Sequence, residues 1–174
     1  ENQVMHMAEN LTRQIFSDVI DTILPERFPR LTWAESMDRY GSDKPDLRFG
    51  LELRDAAVAA QASEYKIFQS VLASGGQVKG INAKGCSQFP RSQVDSLISF
   101  AQEQGAKGLS WIKHTEDGLE SSIVKFFPDS SQRLLIEALE SEPGDLLLLV
   151  ADQPAHVARI LGARSSEIVF TSGG

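Results

Sequence analysis

One apolar run constrains the fold more than any other feature of this sequence. Residues 146–150 read Leu-Leu-Leu-Leu-Val, with Pro143-Gly144 before them and Asp152 after them. Five consecutive apolar residues between turn signals are typical of a strand that is buried on both faces. The sequence therefore predicts a strand from Asp145 to Val150 at the centre of a sheet that is layered with helices.

Helical and extended patterns alternate along the rest of the chain. An apolar stripe of Val4, Ala8, Leu11, Ile15 and Val19 predicts an amphipathic helix from Asn2 to Leu24. A capping box at Thr32 to Glu35 begins a short helix that runs through Tyr40. We also expect helices at 55–61, 91–104, 130–139 and 154–161, and strands at 65–68, 77–83, 107–114 and 121–127. This order of elements favours an α+β fold.

The composition is ordinary for a globular protein of 174 residues. A single cysteine, Cys86, excludes an internal disulfide and fits a reducing compartment. No apolar run approaches 18 residues and no signal peptide opens the chain, so we expect a soluble cytoplasmic protein with no membrane partner. His6, His114 and His156 lack metal-ligand spacing with Cys86, and we predict no metal site.

A net charge of −7 argues against a protein that coats nucleic acid. Residues 66–125, however, carry seven Lys or Arg against five Asp or Glu. This excess allows a local basic face that would contact nucleic acid, and scattered solvated lysines are the alternative. The candidates for such a face are Lys79, Lys84, Arg91, Lys107 and Lys113.

A charged loop separates the early helices from the rest of the chain. Residues 39–50 read Arg-Tyr-Gly-Ser-Asp-Lys-Pro-Asp-Leu-Arg-Phe-Gly. Gly41 can end a helix in the left-handed conformation, and Pro45 pushes Lys44 out of the α region, so this segment is a built loop. It closely resembles a signature of bacterial-type aspartyl-tRNA synthetases, and residues 28–37 resemble the segment that precedes that signature.

In that family the signature joins the class II catalytic core to a large inserted domain. The resemblance implies that the loop lies next to the active site, and a hinge with solvated charges is the alternative. We call residues 40–48 the signature loop. Its candidate site residues are Tyr40, Ser42, Asp43, Lys44, Asp46 and Arg48.

Three later segments, 76–81, 105–113 and 143–148, resemble successive landmarks of the GAD domain. This domain is the insert of those synthetases and also occurs in an archaeal tRNA-dependent amidotransferase. The resemblance implies an antiparallel sheet layered with helices in a β2-α-β2-α arrangement, which agrees with the pattern above. It divides the chain into part of a catalytic core (1–50), a GAD insert (51–163) and an atypical tail (164–174).

The family activates aspartate with ATP and Mg²⁺, transfers it to tRNA and works as a homodimer. This chain has no Phe-Arg-x-Glu and no Gly-Leu-x-Arg motif. We therefore predict a piece of such a ligase that holds no catalytic residue and no cofactor of its own, and that is inactive without the remainder of the synthetase. The alternative is a GAD module that contacts tRNA or packs between domains, as in the amidotransferase. The tail resembles a strand and glycine turn of pyridoxal-phosphate enzymes, and an altered terminus is the simpler reading of it.

Overall fold

The computed structural model of the chain describes residues 2–154, 156, 157 and 160. They form two compact units, one up to Thr32 and one from Trp33 onward. The predicted tail at 164–174 lies outside the described residues, and so does part of the predicted helix at 154–161. The domain boundaries at residues 50 and 163 stay predictions.

The first unit is built on helix α1 (Asn2–Ile20). The predicted helix from Asn2 is confirmed, but it ends four residues before Leu24. Asp21 adopts the left-handed conformation with φ of 50°, which a right-handed helix cannot continue through. After this turn the chain runs back beside the helix, where the Arg30 guanidinium donates to Glu9 at 3.0 Å.

The second unit holds a five-stranded sheet and five helices among the described residues. Its helices are α2 (Trp33–Tyr40), α3 (Ala57–Gln61), α4 (Lys66–Ala73), α5 (Arg91–Glu103) and α6 (Asp129–Ala138). Its strands are β1 (Arg54–Asp55), β2 (Gln77–Ala83), β3 (Ser110–Thr115), β4 (Gly118–Glu120) and β5 (Leu146–Asp152). Two single-turn 3₁₀ helices, Leu47–Phe49 and Val124–Phe126, lie between them.

All strand pairs are antiparallel, in the order β1-β2-β5-β3-β4. The predicted α+β class and the central buried strand are both confirmed. Leu146, Leu148 and Val150 pack in one apolar layer with α5. Leu147 and Leu149 pack in the opposite layer with α3, α4 and α6. Strand alternation thus sends successive leucines of β5 to two separate cores.

Two predicted strands are wrong. Residues 65–68 open helix α4, because the apolar residues of 66–73 recur at helical spacing and place Phe68 in the core and Leu72 against it. Their β-branched and aromatic content suggested a strand. Gly75 and Gly76 accordingly end a helix, with Gly76 N–H donating to the Val71 carbonyl at 2.9 Å, and do not form a hairpin.

The second error concerns residues 121–127. A local turn forms there, since Val124 N–H donates to the Ser121 carbonyl at 3.3 Å. Strand β4 (Gly118–Glu120), which pairs with β3, ends immediately before this segment. The predicted helices at 91–104 and 130–139 are confirmed as α5 and α6, and the predicted strand at 77–83 is confirmed as β2.

Candidate functional site

The signature loop begins where helix α2 ends, and that helix end is closed by three separate donors. The last carbonyl groups of an α-helix lack partners within the helix. Here the Met37 carbonyl accepts from Gly41 N–H at 3.0 Å and the Arg39 carbonyl accepts from Leu53 N–H at 2.7 Å. The Asp38 carbonyl accepts from the Lys79 ammonium of β2 at 2.7 Å.

Glu52 holds the same helix end from the far side of the loop. Its two oxygens accept from Arg39 Nη2 at 2.6 Å and Arg39 Nε at 3.3 Å, and Tyr40 OH donates to it at 3.2 Å. The hydrogen bond from Arg39 lowers the pKa of Glu52. Burial and the neighbouring Glu52 carboxylate raise the pKa of Tyr40. Tyr40 thus stays a neutral donor, and Glu52 stays an ionised acceptor.

The first turn of the loop is fixed by serine hydroxyls. Gly41 adopts φ of 67°, so the predicted left-handed helix end at this residue is confirmed. The Ser36 hydroxyl donates to the Ser42 carbonyl at 2.7 Å, and Lys44 N–H donates to the Ser42 hydroxyl at 3.1 Å. The backbone that carries Asp43 and Lys44 is therefore tied to α2, while both side chains are exposed.

Asp46 and Arg48 form a local pair at the far end of the loop. Asp46 accepts from Arg48 N–H at 3.0 Å and caps the 3₁₀ helix Leu47–Phe49. Its carboxylate also accepts from Arg48 Nε at 2.8 Å. The hydrogen bond from the Arg48 side chain lowers the pKa of Asp46 to about 2. An ionised carboxylate and a guanidinium that is 85% exposed face solvent here.

Three of the basic candidates for a tRNA face are held in place by the protein. Lys79 is only 6% exposed and binds both the carbonyl and the carboxylate of Asp38. Its ammonium is thus withdrawn from the surface, and a tRNA contact by Lys79 would require this pair to open. Lys107 Nζ lies 3.3 Å from Asp152, and Lys113 Nζ donates to the Phe89 carbonyl at 2.9 Å.

The other two candidates are exposed, as Lys107 is. Lys84 follows the end of β2, and Arg91 begins α5. Arg91 donates to Asp95 at 2.8 Å and its guanidinium lies 5.4 Å from the centre of the Trp111 ring. Strand β3 thus carries both Trp111 and Lys113 next to the start of α5. The structure brings Arg91 and Lys113 to one region of the sheet, and their tRNA role stays a prediction.

Asp145 is a buried carboxylate that the sequence did not single out. It accepts from Gly85 N–H at 2.9 Å, Glu142 N–H at 3.0 Å and Asn82 Nδ2 at 2.8 Å. Burial alone would raise its pKa, but these three donors outweigh burial and the pKa of Asp145 is lowered. Asp145 thereby joins the loop after β2 to the loop before β5.

Cys86 lies beside Asp145 and is buried. Burial and the Asp145 charge raise the pKa of the Cys86 thiol, so it stays protonated and is a poor nucleophile. Within the described residues, no three His, Cys, Asp or Glu side chains come together as metal ligands. We therefore assign no role in binding Mg²⁺ to these side chains. None of the described helices is long and apolar enough to cross a membrane.

Known proteins resemble the chain over nearly its whole length. An aspartate–tRNA(Asp/Asn) ligase of Symbiobacterium thermophilum is 46% identical over 168 residues, covering 96% of this chain and 28% of the relative. An aspartate–tRNA ligase of Staphylococcus carnosus is 43% identical over 174 residues, covering 99% of this chain and 30% of the relative. The chain thus spans little more than a quarter of the length of these curated relatives.

A family model locates the shared domain within the chain. The GAD domain model matches residues 68–161, which is more than half of the sequence. The match begins inside α4 and includes β2, α5, β3, β4, α6 and β5, all of the sheet except the two-residue strand β1. It also includes the three segments on which the sequence resemblance rests. The chain carries a GAD domain and belongs to the GAD domain family.

Proposed function

We propose that the chain is a piece of an aspartate–tRNA ligase, which activates aspartate with ATP and Mg²⁺ and transfers it to tRNA. One observation carries this proposal. The similarity to aspartate–tRNA ligases covers 94–99% of the chain, so it includes the signature loop as well as the GAD match at 68–161. A GAD module of an amidotransferase would account for the second part only.

In this proposal the chain supplies structure next to the reaction and does not perform it. The remainder of the ligase supplies the groups that bind aspartate and ATP, since the chain has neither a Phe-Arg-x-Glu nor a Gly-Leu-x-Arg motif. Its partners are that remainder, tRNA and a second copy of the ligase in a cytoplasmic homodimer. The exposed Asp43 and Lys44 of the signature loop are the groups nearest to the reaction.

Aspartate-dependent ATP–pyrophosphate exchange tests the proposal. The full-length protein should exchange pyrophosphate only when aspartate is present, and the 174-residue chain should show no exchange. Asparagine and glutamate at equal concentration are the controls. A full-length protein without aspartate-dependent exchange would contradict the ligase, and exchange by the 174-residue chain that scales with its concentration would contradict the division of roles.

The signature loop has its own test in the full-length protein. Asp43→Ala and Lys44→Ala should lower the rate of exchange while the melting temperature changes little, because both side chains are exposed. Lys84→Ala is the matched control, since Lys84 is an exposed charge outside the loop. Normal exchange kinetics in both loop variants would reduce the loop to a hinge.

A second candidate function is a tRNA-contacting module, which the grouping of Arg91, Trp111 and Lys113 favours. Two basic side chains beside an aromatic ring suit a nucleic-acid strand. The excess of positive charge is small, so the 174-residue chain should bind tRNA with a Kd on the order of 10⁻⁴–10⁻⁶ M and steep salt dependence. Submicromolar binding at physiological salt would make tRNA binding the main role of this piece.

A further inference from the structure

Lys79 is a buried lysine whose partner lies far away in the sequence. It occupies the middle of β2, opposite Val150 of β5 and Asp55 of β1. Because side chains alternate along a strand, Lys79 shares a face with Ile81, which belongs to the apolar layer of α5. A buried ammonium is costly unless it is paired and hydrogen-bonded.

The partner of Lys79 is the C-terminal end of α2. Its ammonium donates to the Asp38 carbonyl at 2.7 Å and also binds the Asp38 carboxylate. A cation at this position satisfies a carbonyl that the helix leaves without a partner and complements the negative end of the helix dipole. The contact spans 41 residues of sequence, so it joins the sheet of the GAD domain to the segment that precedes the signature loop.

Two backbone hydrogen bonds close the same helix end. Leu53 N–H reaches the Arg39 carbonyl from the chain that leads into β1, and Gly41 N–H reaches the Met37 carbonyl. Asp38 lies between Met37 and Arg39 in the last turn of α2. Among the described residues, the Lys79 ammonium is the only charged donor to a carbonyl of this turn. Removal of the ammonium would leave the end of α2 to these two backbone donors and to the pair of Arg39 with Glu52, which is partly exposed.

We propose that Lys79 is a positioning residue for the signature loop. It fixes the end of α2 on the GAD sheet, so that Asp43 and Lys44 are carried by a backbone of one conformation. This role rests on the proposed ligase function of the full-length protein. It gives the GAD domain a direct part in holding the loop beside the active site, and it places Lys79 inside the protein instead of on a tRNA-facing surface.

The test uses Lys79→Met, which keeps the apolar stem and removes the ammonium. Lys125→Met is the matched control, because it makes the same substitution at a lysine whose ammonium lies over the Phe126 ring and not against α2. In the 174-residue chain, amide hydrogen exchange of Gly41 and Leu53 should speed up about tenfold or more in Lys79→Met, as expected when a hydrogen bond to a charged group is lost. In Lys125→Met it should stay within about twofold of the wild type.

The full-length protein supplies the second measurement. Lys79→Met should lower kcat/KM for aspartate-dependent pyrophosphate exchange about tenfold or more, and Lys125→Met should not. Asp38→Asn removes the carboxylate charge but keeps the carbonyl acceptor. Asp38→Asn should therefore speed up amide exchange of Gly41 and Leu53 less, and lower kcat/KM less, than Lys79→Met does. If Lys79→Met does not fold, Asp38→Asn takes its place in both measurements.

Three results would overturn the proposal. The first is unchanged Gly41 and Leu53 exchange in Lys79→Met, and the second is faster amide exchange with normal pyrophosphate exchange. The third is an equal loss of activity in Lys79→Met and Lys125→Met, which would show a general effect of removing a lysine charge. A wild-type full-length protein without aspartate-dependent exchange would instead refute the ligase function, and the amide measurement would then decide the anchoring by itself.

Discussion

The leucines of β5 are at most 1% exposed, whereas Leu11 and Val19 of α1 are 58% and 74% exposed. Both segments are rich in large apolar side chains, and both were predicted from their hydrophobic pattern. The difference lies in their neighbours. Strand β5 lies between β2 and β3, with helices packed on each face, whereas most of the stripe of α1 has no such cover among the described residues. An apolar pattern predicts a helix or a strand, but only burial converts it into stability.

The largest expected effect concerns the buried side of this comparison. Leu148→Ala should lower the free energy of unfolding by about 2–5 kcal/mol, from lost apolar transfer and the cavity that remains. Leu11→Ala on α1 is the control and should change it by at most about 0.5 kcal/mol. Urea denaturation of the 174-residue chain measures both. A loss below about 1 kcal/mol for Leu148→Ala would show that the sheet core is not close-packed around β5.

A smaller effect is expected at Asp145, the buried carboxylate beside that core. Asp145→Asn should lower the free energy of unfolding by about 1–3 kcal/mol at pH 7, because the new amide cannot accept from all three donors. The pKa of Asp145 is lowered in the folded chain. Its contribution is therefore complete above the unfolded pKa of about 3.9 and disappears as the pH falls through the folded value.

The pH dependence gives this prediction its control. The difference between wild type and Asp145→Asn should shrink when the pH of the denaturation experiment is lowered from 6 to 3. Lys66→Ala removes an exposed charge at the start of α4 and should show little change at either pH. A difference that stays constant over this range would mean that the Asp145 carboxylate does not titrate with folding.

The smallest expected change in folding stability concerns the exposed stripe of α1. Exposed apolar patches of several hundred Å² promote association, so we expect the 174-residue chain to self-associate through α1. The double variant Leu11→Lys and Ile15→Lys should sediment as a monomer, with little change in the stability of the sheet. Val58→Lys is the control, because Val58 is an exposed apolar residue of α3. A wild-type chain that stays monomeric over the whole concentration range would contradict self-association through α1.

The sequence predicted the helices that bury one face and the strands that are buried on both faces, because their apolar residues recur at a clear spacing. Helices α5 and α6 and strands β2 and β5 were found in this way, because local spacing and burial agree there. It failed at α4, where Tyr65, Ile67 and Phe68 favour a strand by composition. It failed again at 121–127, where Ser121 closes a local turn. Contacts with the core decided the structure at α4, and a local turn decided it at 121–127.

The sequence predicted one feature of the candidate site and missed two others. The left-handed turn at Gly41 followed from glycine chemistry, since no side chain constrains that position. The anchoring of α2 by Lys79 did not, because a lysine in a strand gives no sign in the sequence of which carbonyl it will reach. The pairing of Arg39 with Glu52 is closer in sequence, but it too depends on how the loop folds back.

Hydrogen exchange of α1 and β5, measured in the 174-residue chain and in the full-length protein, tests the central claim most directly. The claim is that the sheet of the GAD domain is formed within this chain, whereas α1 takes its apolar cover from the rest of the full-length protein. In the 174-residue chain, the amides of β5 should exchange only through global unfolding and those of α1 much faster. In the full-length protein, α1 should gain protection and β5 should not change. Equal protection of α1 in the two proteins would contradict the account.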